Sequence, residues 1–331
     1  MQKYLIGSDW GTSSFRLRLF DIDQQIVIAE VTSEEGIAKM HTGWQHQMSS
    51  NDAIDKIDFF RNYLKKEIDV LSAQGSINLQ NSTIVISGMA SSSIGMEDVP
   101  YAKLPFALNG SNAAIKSFKA SENLQHEIIL ISGVRSENDV MRGEETQLIG
   151  LMELLKNSTT MPQNGMLIFP GTHSKHIRIK NGSLVSFSTF MTGEVYSLMS
   201  KHSILKDSVQ KDNSALSEAE VDAFKLGVAK SKEATILHLL FTVRANQLFN
   251  KLDKKQNACY LSGLLIGEEL NYFLKNEEIP LVLCSASNLA QFYTMAIEAL
   301  DLLPRATIVS SEIVNKAALA GQLVVYQKHP S

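Results

Sequence analysis

Short apolar runs, each closed by Gly, Asn, Asp or Ser, recur along the chain. They read as β-strands at 4–8, 15–21, 26–31, 83–87, 128–134, 166–169, 176–179, 184–187 and 281–284. Between them lie longer stretches whose apolar residues return every three or four positions. These predict helices over 51–73, 143–155, 195–201, 217–231, 236–249, 261–275, 289–300 and 311–326. Interleaved periods of this kind imply an α/β or α+β protein. Two polar stretches break the pattern. Residues 157–164, with Pro162, read as a domain boundary; residues 206–217 read as a surface loop with a helix N-cap at Ser214 or Ser217.

Composition narrows the class. A chain of 331 residues, 44% hydrophobic, suggests about two domains of roughly 150 residues each, with cores that need no staples. A net charge of -4 offers no basic surface for nucleic acid or an anionic membrane. The two cysteines, Cys259 and Cys284, sit in apolar runs, so a disulfide framework is not expected and a reducing compartment fits. The opening residues lack the apolar core of a signal peptide, and no apolar run approaches the roughly 20 residues of a membrane span. A cytoplasmic location is the expectation.

An internal repeat carries the chemistry. Residues 11–19 and 171–179 both read Gly-Thr-x-Ser-x-x-apolar-Arg-apolar, and both follow an apolar strand. Each predicts a hairpin with a Gly-Thr-x-Ser turn. Glycine lets backbone approach a phosphate, successive N–H groups form an anion nest, and the hydroxyls add donors. Gly11, Thr12, Ser13 and Ser14 in one half, and Gly171, Thr172, His173 and Lys175 in the other, are therefore candidate phosphate ligands. Two such hairpins would clamp a polyphosphate between two lobes. Asp9, ending the first strand, would hold the phosphate-borne Mg²⁺ directly or through water.

Further blocks carry a resemblance. They are Asp9–Arg16, Ser87–Gly95 with three consecutive serines, Val140–Gly150 with Arg-Gly-Glu-Glu-Thr-Gln, Pro170–Lys175, Phe190–Glu194 and Leu261–Gly267. In this order they resemble the 2-dehydro-3-deoxygalactonokinase family over nearly the whole chain, within the actin, hexokinase and heat-shock-chaperone superfamily. The resemblance implies two ribonuclease-H-like lobes of the actin-like ATPase fold with an interlobe cleft. It implies ATP and Mg²⁺ as cofactors, and γ-phosphoryl transfer to the 6-hydroxyl of a 2-keto-3-deoxy sugar acid. The domains expected are an N-terminal lobe over 1–160, a C-terminal lobe over 161–310, and a last helix over 311–331 that crosses back. The chain departs from the family pattern at Ser14, where Asn or a similar residue is usual. It departs again in the adenosine turn Cys284-Ser285-Ala286-Ser287-Asn288, which is less rich in glycine.

Roles follow as expectations. Glu144 and Glu145 open a helix, where backbone N–H groups favour the ionised carboxylate that a base needs. A similar Gly-x-Glu-Glu segment carries the catalytic glutamate of exopolyphosphatases. Both remain candidates, with Glu144 preferred. Arg142 would bind the substrate carboxylate or the transferred phosphoryl group. Ser285 and Ser287 would meet the nucleotide. Glu35, Gly88, Ser91, Ser92, Ser93, Thr192 and Glu194 would reach the sugar acid. Small residues (Thr146 and Gly150 in one helix; Ala317, Ala318, Ala320 and Gly321 in another) would let two helices cross closely. Two other functions stay open: an exopolyphosphatase-like phosphatase and a non-catalytic nucleotide-binding regulator. Partners expected are a small sugar acid and a second copy of the chain, with no nucleic acid and no membrane.

Overall fold

The computed structural model describes residues 2–49, 54–210, 214–275, 279–286 and 288–329. The chain forms two compact units. Unit 1 comprises Met1–Thr159, Gly182–Val185 and Ile313–Ser331; unit 2 comprises Thr160–Asn181 and Ser186–Glu312.

Unit 1 opens with an antiparallel meander, β1 (Tyr4–Trp10), β2 (Phe15–Asp21) and β3 (Ile26–Ser33). Helices α1 (Ile37–Met48) and α2 (Lys56–Gly75) follow. Next come β4 (Thr83–Gly88), β5 (Ala102–Lys103), β6 (Phe106–Ala107), β7 (Ile115–Phe118), β8 (Ile128–Ile131), β9 (Val134–Arg135), β10 (Val140–Met141) and α3 (Glu144–Leu154). The main sheet runs β3-β2-β1-β4-β8-β7, with β4 parallel to β1 and β8 parallel to β4. Every residue of β4 and β8 is buried, the continuous apolar pattern of a strand covered on both faces. Trp10 meets Phe15 and Phe60 of α2, and Phe15 meets Tyr63 of the same helix.

Unit 2 repeats the plan. Its meander is β11 (Asn164–Phe169), β12 (Ser174–Lys180) and β13 (Ser183–Phe190). Helices α4 (Thr192–His202), α5 (Glu218–Lys230), α6 (Ile236–Leu248), α7 (Lys254–Leu270) and α8 (Tyr272–Lys275) follow, then β14 (Leu281–Leu283), α9 (Leu289–Ala299) and β15 (Ala306–Ile308). The order is β15-β14-β11-β12-β13, with β14 and β15 added in parallel. The first residues of β13 are counted with unit 1, where Ser183 pairs with Ala107 and Leu184 with Phe106. The last helix, α10 (Ser311–Lys328), belongs to unit 1 from Ile313 onward. Its buried Gln322 donates to the Ser8 carbonyl (2.7 Å) and to Ser87 Oγ (2.8 Å). Both units are α/β and of the ribonuclease-H-like kind expected for an actin-like ATPase fold.

The small residues of α3 and α10 do let the two helices cross closely, and both helices lie in unit 1. A Cβ at Gly150 would meet the Ala317 carbonyl oxygen, and one at Gly321 the Thr146 carbonyl oxygen. Several boundaries differ from the sequence reading. Helix α1 is absent from it, because only Ile37 and Met40 are buried and the apolar stripe is too short to read. Helix α7 starts at Lys254 rather than 261. Asp253 caps it through the N–H groups of Lys255 and Gln256, and its middle is buried almost all round, which erases the amphipathic period. Helix α2 starts at Lys56, capped by Asp55; residues 51–53 of the expected helix lie outside the described residues. Ser217, with a capping box to Glu220, is the N-cap of α5, and Ser214 is not.

Candidate active site

Each unit builds its own group of functional side chains. In unit 1 the group gathers where β1, β4 and α3 meet. The chain kinks sharply before α3: Gly143 has φ +111° and Gly88 has φ +92°, conformations that glycine adopts without strain. A Cβ on Gly143 would lie 3.3 Å from the Gly88 Cα, so the start of α3 sits directly against the end of β4.

Asp9 is half-buried at the end of β1, in register with Arg16 of β2. Burial pushes its carboxyl above the usual range, Arg16 and Arg18 pull it down, and Glu144 pushes it up. Asp9 and Glu144 thus share one electrostatic neighbourhood. A pair of oxygen donors suits Mg²⁺, which takes one or two carboxylates and completes its shell with water and phosphate.

The two glutamates differ. Glu145 is fully buried, its carboxylate accepting from the Gly143 N–H (2.7 Å) and the Thr146 hydroxyl (2.8 Å). Burial first, then Glu144, lifts its carboxyl to about 7, against the three hydrogen bonds that favour ionisation. Glu144 is half-buried and accepts the Arg142 N–H at 3.1 Å. Arg142 itself is clamped. Its guanidinium lies 4.2 Å over the Tyr101 ring and donates to Ser91, both to the carbonyl and to Oγ (2.7 Å), while its buried Nε has no partner.

The Ser-rich loop is more committed than the sequence implied. Ser91 and Ser92 are buried, and their hydroxyls donate to the carbonyls of Gly88 (3.3 Å) and Met89 (2.7 Å); Ser93 alone is exposed. Glu35 pairs with Lys39 at 2.5 Å, and its carbonyl accepts the Trp10 indole N–H. In the first turn the Gly11 N–H is taken by the Ser14 carbonyl at 2.9 Å, while Thr12, Ser13 and Ser14 are exposed. The Gly11 and Thr12 carbonyls accept the Ile37 and Ala38 N–H groups, docking the turn on the start of α1.

In unit 2 the second turn borders a cavity of about 840 Å³. Gly171, Thr172 and Thr192 form its polar rim. Tyr196, Leu265, Ile266, Leu289 and Phe292 line its apolar interior, while Ser262, Asn288 and Gln291 supply polar atoms. That volume and mixture suit a bound cofactor-sized molecule. Cys259 also faces it, with burial pushing the thiol up to about 11. Thr192, expected at the sugar acid, is therefore in unit 2 beside the second turn. Glu194 joins it there: its N–H donates to the Thr172 carbonyl (3.0 Å), and its carboxylate pairs with exposed His173. Lys175 is buried, with its ammonium 3.4 Å from the His173 carbonyl. Ser285 is buried behind β14 and does not line the cavity; Ser287 lies outside the described residues.

Sequence reasoning missed a polar network behind this rim. Glu269 of α7 accepts from Tyr293 OH (2.7 Å) and from Thr192 Oγ1, and bonds His176 Nε2 (2.9 Å). Tyr293 OH also bonds Ser174 Oγ (2.7 Å), which accepts the Gly171 N–H (3.4 Å). The sequence carried no clear signal: Glu269 follows a second acid, Glu268, at the end of a helix that also opens on Lys254, Lys255, Gln256 and Asn257, so nothing local marks which acid is buried.

With this geometry in hand, comparison with known proteins gives a consistent result. The family described as 2-keto-3-deoxy-galactonokinase matches residues 9–322. A protein of Rhizobium meliloti (strain 1021), named as a probable 2-dehydro-3-deoxygalactonokinase, is 32% identical over 313 residues, 92% of each chain. The 2-dehydro-3-deoxygalactonokinase of Escherichia coli (strain K12) is 32% identical over 231 residues, 67% of this chain and 72% of its own. A crystal structure from Sinorhizobium meliloti, put forward as a 2-dehydro-3-deoxygalactonokinase, superposes with a TM-score of 0.76 at 29% identity. It covers 99% of this chain and all of its own.

Proposed function

The chain belongs to the 2-keto-3-deoxy-galactonokinase family, and from that premise we propose that it transfers the γ-phosphoryl group of ATP to the 6-hydroxyl of 2-dehydro-3-deoxy-D-galactonate or a close epimer. The observation that carries the reading is the family match from Asp9 to Gln322, which takes in both the carboxylate group of unit 1 and the cavity of unit 2.

On this reading unit 1 serves the sugar acid and the chemistry, and unit 2 serves the nucleotide. Glu144 accepts the proton of the 6-hydroxyl as that oxygen attacks the γ-phosphorus. The P–O bond to the β-phosphate breaks, and ADP leaves with the electron pair. Phosphoryl transfer asks of the protein mainly positioning and charge. Asp9, with Glu144 nearby, would hold Mg²⁺, which neutralises phosphate charge when bound. Arg142, held rigid by Ser91 and Tyr101, offers its remaining donors to the substrate carboxylate. Glu145, tied into its own turn, supports the start of α3 and is not the base. The adenosine occupies the unit 2 cavity, with the phosphates at Gly171 and Thr172. ATP chemistry and two free buried thiols fit the cytoplasm. No described helix is long and apolar enough to cross a membrane.

The test is ADP release with Mg²⁺, with and without 2-keto-3-deoxygalactonate, for the wild type and Glu144→Gln. Release that requires the sugar acid and collapses in the variant is expected. Equal release without the sugar acid would instead mark a phosphatase.

A further inference from the structure

We propose that Glu269 is a positioning residue for the nucleotide, acting through a directed hydrogen-bond chain onto the second Gly-Thr turn. The inference rests on the reading that the unit 2 cavity holds ATP. Glu269 is 3% exposed, and a carboxylate so placed is costly unless its oxygens are filled. They are filled by Thr192, Tyr293 and His176, side chains from three separate elements. Thr192 and Tyr293 each line the cavity. His176 is held flat against Phe273 and beside Phe190, at 4.7 and 4.3 Å between ring centroids.

The direction of the chain is set at its end, where the Tyr293 and Thr192 hydroxyls both donate to a Glu269 carboxyl oxygen. Tyr293 OH therefore donates to Glu269 and accepts from Ser174. Ser174 Oγ in turn accepts the Gly171 N–H. On the other side Thr192 donates to the same carboxylate, while Gly193 packs on the turn: a Cβ there would lie 2.7 Å from the Gly171 carbonyl oxygen. Next in sequence, the Glu194 N–H binds the Thr172 carbonyl. One buried carboxyl group thus braces both flanks of the turn at which the phosphates would sit. Aligned donors in a low-dielectric interior strengthen one another, so loss of the terminal acceptor loosens the whole chain.

The experiment measures KM for ATP, KM for the sugar acid, melting temperature and calorimetric ADP affinity in Glu269→Gln, Tyr293→Phe and their double variant. Ser262→Trp, which fills the cavity, is the control. About a tenfold rise in KM for ATP is expected in each single variant, as for loss of a hydrogen bond to a charged group. KM for the sugar acid should stay within about twofold, and the double variant should add little because both changes cut one chain. A fall in melting temperature with both KM values unchanged, or equal rises in both, overturns the proposal. Tyr293→Phe keeps the ring packing and decides the matter if Glu269→Gln does not fold. If Ser262→Trp binds ADP like the wild type, the cavity reading fails and the proposal with it. If Ser262→Trp abolishes ADP binding while the other variants bind normally, the reading stands and the positioning role alone is overturned.

Discussion

The two Gly-Thr-x-Ser hairpins share a sequence and part company in how they close. The first spans four residues between strands, Gly11 to Ser14, and is shut by a backbone bond from the Gly11 N–H to the Ser14 carbonyl. The second leaves five residues between its last paired positions, Phe169 and Lys175, and its glycine N–H meets the hydroxyl of Ser174, the first residue of β12, instead. Strand register shifts by one residue between the copies: Trp10 pairs with Phe15, but Phe169 with Lys175. The residue two positions before the glycine is Asp9 in one copy and buried Phe169 in the other. Only the first can offer a carboxylate to a cation. The second is braced from behind by Tyr293 and Glu269 and opens on a cavity. A repeated motif therefore places a turn in each copy, while its neighbours decide how the turn closes and what it is for.

The largest effect should fall in unit 1. Glu144→Gln should lower kcat about a thousandfold, within the usual range for a lost general base, and leave KM for ATP within about twofold. A main effect on ATP affinity would break the proposed division between the units. Next comes packing. Gly321→Ala drives a methyl into the Thr146 carbonyl and should cost about 3 kcal/mol, lowering the melting temperature by roughly 9 °C.

Glu145 sets a pH dependence of similar size. Its folded value of about 7 lies above the ordinary 4.5, so the folded state holds the proton more tightly than the unfolded chain. Stability should therefore rise as pH falls from about 7 toward 4.5, and drop as pH climbs. The full difference is about 3 kcal/mol. In Glu145→Gln, denaturant titrations from pH 5 to 8 should lose that slope. Retention of the slope would assign it to other groups.

The smallest effect tests the hairpins directly. Ser174→Ala removes the side-chain closure and the hydroxyl that bonds buried Tyr293, so it should cost about 2 kcal/mol. Ser14→Ala leaves the backbone closure intact and should cost less than about 0.5 kcal/mol. Equal costs would mean that the turns are held in the same way after all.

Much of this was legible along the chain. Local patterns gave most strands and helices, because β4, β8 and β11 are buried and continuous while α2, α5 and α9 carry readable stripes, the first two with side-chain caps. Helix α1 and the first part of α7 escaped, one for too few buried positions and the other for too many. At the site, Asp9, Arg142, Glu144 and Glu145 were marked by motif and do gather at the start of α3. The hydroxyls of Ser91 and Ser92 and the N–H of Gly11 were expected to face ligand, and are used by their own loops. Backbone conformation determines such commitments, and residue type alone does not report it.

The sequence by itself determined the α/β alternation, the repeated turn and the family, since these depend on residue type at short range. It also fixed the close crossing of α3 on α10, because only small residues at Gly150 and Gly321 permit it. The tertiary structure decided which glutamate is buried and which is half-exposed, what shuts each turn, and where the cavity lies. It also decided that Thr192, His176 and Tyr293 converge on Glu269 from positions 77, 93 and 24 residues away. No local pattern encodes such a convergence. It arises because a buried carboxylate must be met by donors, and the fold alone settles which donors reach it.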